Sequence, residues 1–392
     1  MRLLHTSDWH LGQHFFGKTR QAEHQALLDW LLETVTNAAV DAVVIAGDLF
    51  DTASPPSYAR ELYNQLVLRL NQAGCQLVLL AGNHDSVAVL EESRALLGEL
   101  GATVVARPGD GQLLTLHDHH GQPAATLCAI PYLRPRDVVQ SQAGDSSDDK
   151  QRTLQAAIAS HYQALYEQAR ATGLPVIMTG HLTTVGASVS ESVREIYVGS
   201  LAAYPANAFP AADYIALGHI HRPQQVGGQA HIRYSGSPLP LSFDEAAQQK
   251  QVVLVDITPE RTQVEALAVP RFQALASITA SLKSLRQQVA PLCQPQQTLW
   301  LDIAIDTDSY LSDLQSRVGD ELAGLNVEVL RLRRLRRAEQ TGLTGASRET
   351  LDELTPSEVF TRRLAQEALS DELNQALNER YQQTLAKLQE SS

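Results

Sequence analysis

The residues best suited to chemistry are aspartates, asparagines and histidines that directly follow short apolar runs. In chain order, the candidate metal ligands among them are Asp8, His10, Asp48, Asn83, His181, His219 and His221. Their carboxylate, amide and imidazole groups suit manganese, iron, zinc or magnesium better than copper(I). A set of this size can hold two divalent ions, so the pattern predicts a two-metal site.

The candidate ligands divide into two sets with one shared member. One ion is expected on Asp8, His10 and His221. The other is expected on Asn83, His181 and His219. Asp48 is predicted to bridge them with one oxygen directed to each ion. Two such ions would stabilise the attacking and leaving oxygens of an in-line displacement at phosphorus, and would lower the pKa of a shared water.

Three further polar residues are assigned supporting roles. His84 is next to a ligand but is not predicted to be one. It is expected to bind the phosphate and to protonate the departing oxygen as a general acid. Asp51 and Asp85 are predicted to orient histidines through hydrogen bonds.

Buried strands are required to position these side chains. The apolar runs that lead into them are Leu3–Ser7, Val43–Ala46, Leu77–Ala81, Val176–Thr179 and Tyr214–Leu217. Four of the five runs are followed by glycine, which lets the backbone turn sharply and lets side chains approach closely. Open α/β sheets bind ligands at the carboxyl ends of their strands, so the five strand ends are expected to converge.

Composition limits the class of protein. The chain has 392 residues, of which 44% are hydrophobic and 19% are charged, as expected for a globular enzyme of two or three domains. No export signal or membrane span is recognised, and three separated cysteines favour thiols in the cytoplasm. The net charge of −13 means either that nucleic acid is not the substrate, or that metals and a partner supply the positive charge.

Strands and helices alternate along residues 1–268. Helices are predicted near 21–38, after Pro55-Pro56, near 87–100 and near 152–171, and later runs such as Val252–Val255 are predicted to be closing strands. Two stacked sheets between helical layers accommodate this mixture. The predicted fold is therefore α/β, a four-layer αββα sandwich.

A domain boundary is predicted near Pro270. Residues 270–337 are expected to form a small α+β module in the order helix 274–289, strand Leu299–Ile305, helix 308–322 and strand Val327–Leu332. Residues 338–392 are predicted to contain a linker and two helices. The first begins at the capping box of Thr355, and the second has an apolar face from Leu373 to Leu388 that fits a partner groove.

Two clusters have competing interpretations. The five arginines between Arg331 and Arg337 either contact DNA phosphates, form a solvated strand face or pair with an acidic partner. The run His117–His120 looks like a metal cluster, but it follows a short strand and precedes Gly121, so it is interpreted as a surface turn.

Five motifs together resemble those of the calcineurin-like metallophosphoesterase superfamily, over residues 1–268. They are Asp8-x-His10, Gly47-Asp48-x-x-Asp51, Gly82-Asn83-His84-Asp85, Gly180-His181 and Gly218-His219-x-His221. Longer stretches are similar to the SbcD family, the nuclease subunits of bacterial SbcCD complexes. These stretches are Leu4–Gly12, Ser54–Arg60 and Gly180–Ala187.

The resemblance implies an αββα sandwich with two metals, expected to be Mn²⁺ with Mg²⁺ as the alternative. It also implies a cap domain after the sandwich and a C-terminal helical segment that docks on a coiled-coil ATPase similar to SbcC. The implied activity is metal-dependent DNA cleavage in repair and recombination, as a double-strand exonuclease and single-strand endonuclease that is ATP-dependent with its partner. The implied assembly is a nuclease dimer within a heterotetramer.

Two alternatives remain open at this point. One is a stand-alone phosphatase or phosphodiesterase on the same scaffold. Against it, Thr52-Ala53 follows Asp51, where serine/threonine phosphatases of the superfamily carry an Arg-Gly that holds the phosphate. The other alternative is a binding protein with a degenerate site, and the intact ligand set argues against it.

Overall fold

The computed structural model describes residues 1–109, 111–139, 147–185, 187, 203–306, 313–335, 377 and 380–381. The chain divides into two compact units, Met1–Arg336 and Arg337–Ser392. Among the described residues, no helix combines the length and the hydropathy needed to cross a bilayer.

The strands of the described residues are β1 Arg2–Thr6, β2 His14–Phe15, β3 Lys18–Thr19, β4 Ala42–Ala46, β5 Gln76–Leu80, β6 Ala102–Val105, β7 Leu113–His117, β8 Pro123–Cys128, β9 Val176–His181, β10 Tyr214–Gly218, β11 Gln224–Val226, β12 Gln229–Tyr234, β13 Gln251–Ile257, β14 Thr262–Ala268, β15 Leu275–Ala280, β16 Leu299–Asp306 and β17 Val327–Leu335. The α-helices are α1 Gln21–Asn37, α2 Ser57–Gln72, α3 Val87–Glu92, α4 Arg94–Glu99, α5 Pro135–Val138, α6 Ser147–Arg170, α7 Leu282–Val289 and α8 Leu314–Leu322.

Two six-stranded sheets form the centre of the first unit. Their strand orders are β14-β13-β1-β4-β5-β6 and β11-β12-β10-β9-β8-β7. Within the first sheet β1, β4, β5 and β6 are parallel, and within the second β8, β9, β10 and β12 are parallel. The carboxyl ends of the parallel strands are thus the natural place for a site in each sheet.

Apolar side chains explain the layering. Residues from both sheets, such as Val44 and Ile177, share one buried cluster between them. Helices α1 and α2 cover the outer face of the first sheet, and α6 covers the outer face of the second. Burying both faces of each sheet gives four layers, and the predicted αββα sandwich is confirmed.

The predicted helix near 87–100 is two short helices, with a break at Ser93. The side chain of Ser86 caps the first, accepting a hydrogen bond from the backbone N–H of Val89 at 3.4 Å. A second serine, Ser93, lies at the break, and its side chain makes no capping hydrogen bond.

The module after Pro270 differs from its prediction in its first element. The prediction of a helix over residues 274–289 was wrong in its first half. Residues Leu275–Ala280 form strand β15, and the helix begins only at Leu282. The β-branched pair Ile278-Thr279 favours a strand, and the Ser281 hydroxyl then caps the helix by accepting from the Ser284 N–H. The result is a parallel sheet, β15-β16-β17, packed against α7 and α8.

The predicted cap, of which the structure describes residues 270–306 and 313–335, contacts the sandwich through aromatic side chains. The ring of Phe15, in the β2–β3 hairpin, stacks on Trp300 of the cap at 5.9 Å. Lys18 of the same hairpin pairs with Glu328. Two arginines of the run from Arg331 to Arg337 bind a carboxylate within the cap. Arg331 and Arg333 contact the buried carboxylate of Asp302 at 2.7 and 2.8 Å. These two arginines are therefore part of the cap itself.

The predicted C-terminal helices lie outside the described residues, except that Leu377, Arg380 and Tyr381 are helical. The Thr355 capping box and the two arginines Arg336 and Arg337 lie outside as well. His117 ends strand β7, so the predicted surface turn covers only Asp118–His120, where the Asp118 carboxylate accepts the backbone N–H groups of His120 and Gln122 at 2.9 Å each.

Candidate metal centre

The five strand ends converge at one edge of the two sheets. Ligand atoms lie within 4.8 Å of one another in three groups of the described residues. The groups are Asp8 with His10 and His221, Asp48 with His181 and His219, and His10 with Asp48 and His84. We call Asp8, His10 and His221 the His10 half of the site, and Asn83, His181 and His219 the His181 half.

Asp48 lies between the two halves. Its Oδ2 is 3.1 Å from Nε2 of His181 and 3.8 Å from Nε2 of His10. Its Oδ1 accepts the backbone N–H of His84 at 2.8 Å. The same oxygen, Oδ2, is thus the one nearest to a histidine of each half, and the bridging role of Asp48 with one oxygen directed to each ion stays a prediction.

The site fits divalent ions. Nε2 of His10 is buried with no hydrogen-bond partner among the described residues, which is costly unless something else binds it. In the His181 half, Oδ1 of Asn83 lies 3.0 Å from Nε2 of His181 and 2.9 Å from Nδ1 of His219. These converging oxygen and nitrogen atoms are the donors that manganese, iron, zinc or magnesium take.

The backbone at the site is unusual. Asp8, His10, Asp48 and His219 all have positive φ, between 48° and 93°. Non-glycine residues adopt this region rarely and at a cost, and such residues cluster at functional sites. Glycine is required beside them for space: a Cβ on Gly47 would lie 2.2 Å from Nδ1 of His181.

Backbone atoms orient the His181 half. Nδ1 of His181 lies 2.9 Å from the carbonyl oxygen of Ala46, which leaves Nε2 for the site. The backbone N–H of His219 donates to the carboxylate of Asp8 at 3.0 Å and turns the chain so that Nδ1 faces Asn83. The strand ends themselves therefore hold this half.

Carboxylates orient the His10 half. Oδ1 of Asp51 lies 3.1 Å from Nδ1 of His10, so the role predicted for Asp51 agrees with the geometry. Oε1 of Glu245 lies 3.6 Å from Nδ1 of His221. The Ser7 hydroxyl donates to Asp8 at 2.6 Å.

The prediction for Asp85 was wrong in its partner. The Asp85 carboxylate accepts the backbone N–H groups of Leu49, Phe50 and Gly82, at 2.9 to 3.2 Å, and orients no histidine among the described residues. The N–H groups of Leu49 and Phe50 in the turn after Asp48, and that of Gly82 after β5, point inward, where they need an acceptor. Burial, with the nearby charge of Asp48, raises the pKa of Asp85 to about 6.

His84 lies beside the site and is half-buried. Its Nδ1 is 2.9 Å from the carbonyl oxygen of Asp51, which directs Nε2 elsewhere, and its ring centroid is 4.7 Å from that of His10. The structure thus brings His84 to the site edge, as predicted for a general acid. It also leaves His84 close enough to His10 and Asp48 to act as a ligand.

The ionisable groups of the site shift one another's pKa values. Burial by itself would raise the pKa of Asp48, but the charge and hydrogen bond of His181, with the charge of His10, hold that pKa well below its ordinary range. Burial opposes protonation of His181, yet Asp48 raises the pKa of His181 to about 9. Burial and the charge of His181 lower the pKa of His219 to about 3.

Sequence reasoning missed Glu245, Lys250 and Ser7. Glu245 and Lys250 do not follow an apolar run and glycine, so the pattern that identified the other residues could not find them. Ser7 directly precedes Asp8, and a hydroxyl beside a candidate ligand was the available signal.

Two protein-family models match parts of the chain. The model of the calcineurin-like phosphoesterase family matches residues 1–223. A second model, described as the type 5 capsule protein repressor C-terminal domain, matches residues 271–368.

Two relatives that share one name span more than nine tenths of the chain. The SbcD component of the nuclease SbcCD from Escherichia coli (strain K12) is 53% identical and covers 98% of each chain. The protein of the same name from Rhodobacter capsulatus is 34% identical and covers 92% of this chain and 93% of its own. Among solved structures, a dimetal phosphatase from Danio rerio aligns with 69% of this chain and 97% of its own, at 9% identity and a TM-score of 0.41.

Proposed function

The chain belongs to the calcineurin-like phosphoesterases and, within them, to the SbcD family of SbcCD nucleases, and from this premise we propose that its two-part site hydrolyses phosphodiester bonds of DNA. It is a metal-dependent phosphodiesterase. The observation that carries the proposal is Oδ2 of Asp48, which lies between Nε2 of His10 and Nε2 of His181.

The seven candidate ligands are proposed to hold two divalent ions, with Mn²⁺ expected and Mg²⁺ as the alternative. When bound, the ions would supply the charge that stabilises a displacement at phosphorus and would lower the pKa of a shared water. Asp48 contributes one carboxylate to both halves, and the histidines fix the geometry through the ring nitrogens that face the site.

His84 is proposed to act on the leaving group. Its Nδ1 is engaged by the carbonyl oxygen of Asp51, so the imidazole is held with Nε2 available for a phosphodiester. A proton on that Nε2 would pass to the departing 3′ or 5′ oxygen as the bond to phosphorus breaks. Asp51 serves both histidines, His10 through its side chain and His84 through its backbone.

The substrate and partner extend the proposal. The net charge of −13 is unfavourable for binding DNA without help, and relatives are named as one component of a two-protein complex, so a coiled-coil ATPase similar to SbcC is the proposed partner. With it, the protein would act in DNA repair and recombination, on duplex ends in an ATP-dependent manner and on single strands internally. A nuclease dimer within a heterotetramer, a cytoplasmic location and three parts (1–268, 270–337 and 338–392) stay predictions.

Residues 338–392 are the proposed docking element, through the apolar face from Leu373 to Leu388. A chain truncated after Gln340 should still cut single-stranded DNA in Mn²⁺ but should bind the ATPase more weakly. Co-elution of the truncated chain with the ATPase at full-length affinity would remove this role from the tail.

A direct assay tests the function. The full chain, loaded with Mn²⁺, is offered linear duplex DNA, single-stranded DNA and a phosphopeptide, each with and without the ATPase and ATP. We expect single-strand cleavage by the chain alone, duplex cleavage stimulated by the ATPase, and no release of phosphate from the peptide. Dephosphorylation without DNA cleavage would instead support a phosphatase.

A further inference from the structure

A buried ion pair lies directly behind His221. Glu245 and Lys250 are 0% and 3% exposed, and Nζ of Lys250 is 2.6 Å from Oε2 of Glu245. Removing two charges from water is expensive, and a pair like this one adds little stability compared with apolar residues of the same volume. Its presence beside a candidate ligand therefore needs a reason other than stability.

The two residues enter from an irregular segment. Glu245 ends the short turn Phe243–Glu245, and Lys250 directly precedes β13. Neither residue is part of the five strand ends that deliver the ligands. The segment between β12 and β13 thus places two charged side chains, Glu245 and Lys250, against His221.

Lys250 is saturated with acceptors. Besides Glu245, its Nζ lies within hydrogen-bond distance of the carbonyl oxygen of His221 and the hydroxyl of Ser237, each at 3.0 Å, and of Oε1 of Gln248 at 3.3 Å, so four acceptors surround its three N–H groups. The ammonium group therefore holds the backbone of His221 as well as the Glu245 carboxylate.

The two carboxylate oxygens of Glu245 have different surroundings. Oε2 accepts from Lys250, from the backbone N–H of Leu241 at 3.0 Å, and from Ser237 at 3.4 Å. Oε1 faces Nδ1 of His221 at 3.6 Å, an ion-pair contact just beyond hydrogen-bond distance. The contacts on Oε2 hold the carboxylate so that Oε1 is directed at the imidazole.

This arrangement matches the outer half of a carboxylate–histidine–metal triad. A histidine that binds an ion through Nε2 carries its proton on Nδ1, and the acceptor on Nδ1 fixes the tautomer and the ring orientation. For His10 the acceptor is Asp51. For His221 the nearest carboxylate is Glu245.

We propose that Glu245 is a positioning residue for His221, that Lys250 fixes both Glu245 and the His221 backbone, and that the pair sets the divalent-ion affinity of the His10 half. The proposal rests on the proposed metal site and adds to it two residues that touch neither ion nor substrate. It also assigns a function to the segment between β12 and β13, which places this buried ion pair behind a candidate ligand.

Calorimetric titration with Mn²⁺ tests it on the full chain. Glu245→Gln keeps the shape of the side chain and removes its charge. We expect two binding events, one at wild-type affinity and one weakened about 10–100-fold, the range for removing such an outer partner. Loss at one site only is a result that general destabilisation would not produce.

The chain offers a matched control. Arg20 and Glu23 form another buried ion pair, at 2.6 Å and with exposures of 1% and 7%, in which Arg20 also contacts Gln13 and Pro240 but no candidate ligand among the described residues. Glu23→Gln should therefore lower the melting temperature as Glu245→Gln does, while both Mn²⁺ affinities stay at the wild-type values. An equal loss of Mn²⁺ affinity in Glu23→Gln would overturn the proposal.

A second variant covers the case in which Glu245→Gln does not fold. Glu245→Gln with Lys250→Met removes both charges, which avoids an unpaired buried ammonium group. Weakening of the same single site supports the proposal, and two sites at wild-type affinity overturn it. Failure of both variants to fold, judged by circular dichroism, assigns the pair to the core and also overturns it. Wild-type protein that binds two Mn²⁺ ions but cuts no DNA would refute the proposed function and leave this inference standing.

Discussion

The two halves of the site are built from the same residue types but are oriented by different means. In the His181 half, the carbonyl oxygen of Ala46 lies against Nδ1 of His181. In the His10 half, the carboxylates of Asp51 and Glu245 face the corresponding nitrogens of His10 and His221. A carbonyl partner belongs to the strand end and cannot be replaced by a side-chain substitution. A carboxylate partner can be replaced, and it also adds negative charge behind the imidazole.

The backbone of the strand ends thus determines one half, whereas side chains that can be substituted orient the other half. A carboxylate behind an imidazole raises its basicity as a ligand. Substitutions at the outer residues should therefore tune the His10 half and leave the His181 half unchanged.

The largest effect is expected from the residue shared by both halves. Asp48→Asn removes the carboxylate that lies between His10 and His181, so occupancy of at least one metal site should be lost and DNA cleavage abolished. Elemental analysis gives the metal content per chain. Two ions bound at normal affinity would show that Asp48 does not bridge.

His84 is assigned to neither half, so its substitution tests whether it is a general acid or a metal ligand. His84→Gln should lower cleavage by about 10²–10⁴-fold, the range for loss of a general acid, with both Mn²⁺ ions and DNA still bound. The measurements are single-turnover cleavage and Mn²⁺ calorimetry. Loss of an ion in this variant would make His84 a ligand and would add it to the His10 half.

The contact between His181 and the carbonyl oxygen of Ala46 cannot be removed by a side-chain substitution, but an added side-chain atom nearby can displace His181. The added Cβ of Gly47→Ala would lie 2.2 Å from Nδ1 of His181 and should displace the imidazole, weakening one ion by about 100-fold. Gly74→Ala is the control, since Gly74 also has positive φ but has nothing within 4 Å of the new Cβ. Equal Mn²⁺ binding by the two variants would mean that the Ala46 contact does not matter.

Asp51→Asn makes the corresponding change in the His10 half. The amide keeps the shape of the side chain but loses the charge facing Nδ1 of His10, so one ion should bind about 10–100-fold more weakly. Calorimetry of the double variant with Glu245→Gln would show whether the two changes weaken the same ion. If the two changes weaken different ions, the division into halves is wrong.

The smallest effect concerns the support shared by both halves. His5 of β1 is fully buried, with its ring nitrogens 2.9 Å from the Tyr214 hydroxyl and 3.2 Å from the Leu217 carbonyl oxygen of β10. Burial lowers the pKa of His5 to about 3, so the unfolded chain takes up a proton near pH 6.5 while the folded chain does not. Stability should therefore fall as the pH decreases through 6.5.

His5→Gln removes this titration. Between about pH 7 and pH 5.5 the variant should lose about 1 kcal/mol less stability than the wild type. Urea unfolding at the two pH values measures the difference. The same loss in both proteins would show that other groups account for the acid sensitivity. Mn²⁺ affinities of both halves should change little at neutral pH.

Much of the site could be predicted because its signals are local. Asp48 and Asn83 each follow an apolar run and a glycine, and parallel strands bring such positions to one edge. Glu245 could not be predicted, since its role depends on a contact with His221 that no periodic pattern marks. Asp85 was assigned the wrong partner because the inward N–H groups of Leu49 and Phe50 appear only when the turn is built.

The fold shows the same contrast. Long amphipathic helices such as α1 and α6 were predicted near their observed bounds, because their apolar faces repeat at helical spacing. Strand β15 was missed because its six residues lead directly into helix α7 and were assigned to that helix, although the alternation along Ala276–Ala280 and the β-branched pair Ile278-Thr279 favour a strand.

The position of β1 has a consequence for the order in which the molecule can form during synthesis. This strand pairs with β4 on one side and with β13 on the other, where Arg2 is opposite Asp256. Strand β1, which leads into Asp8 and His10, can therefore pair with β13 only after about 254 further residues have been synthesised. At ribosomal rates of about 5–20 residues per second the wait is on the order of 10–50 s, during which one edge of β1 is open to other chains. A nascent chain should therefore gain its metal site late, after β13 has left the ribosome.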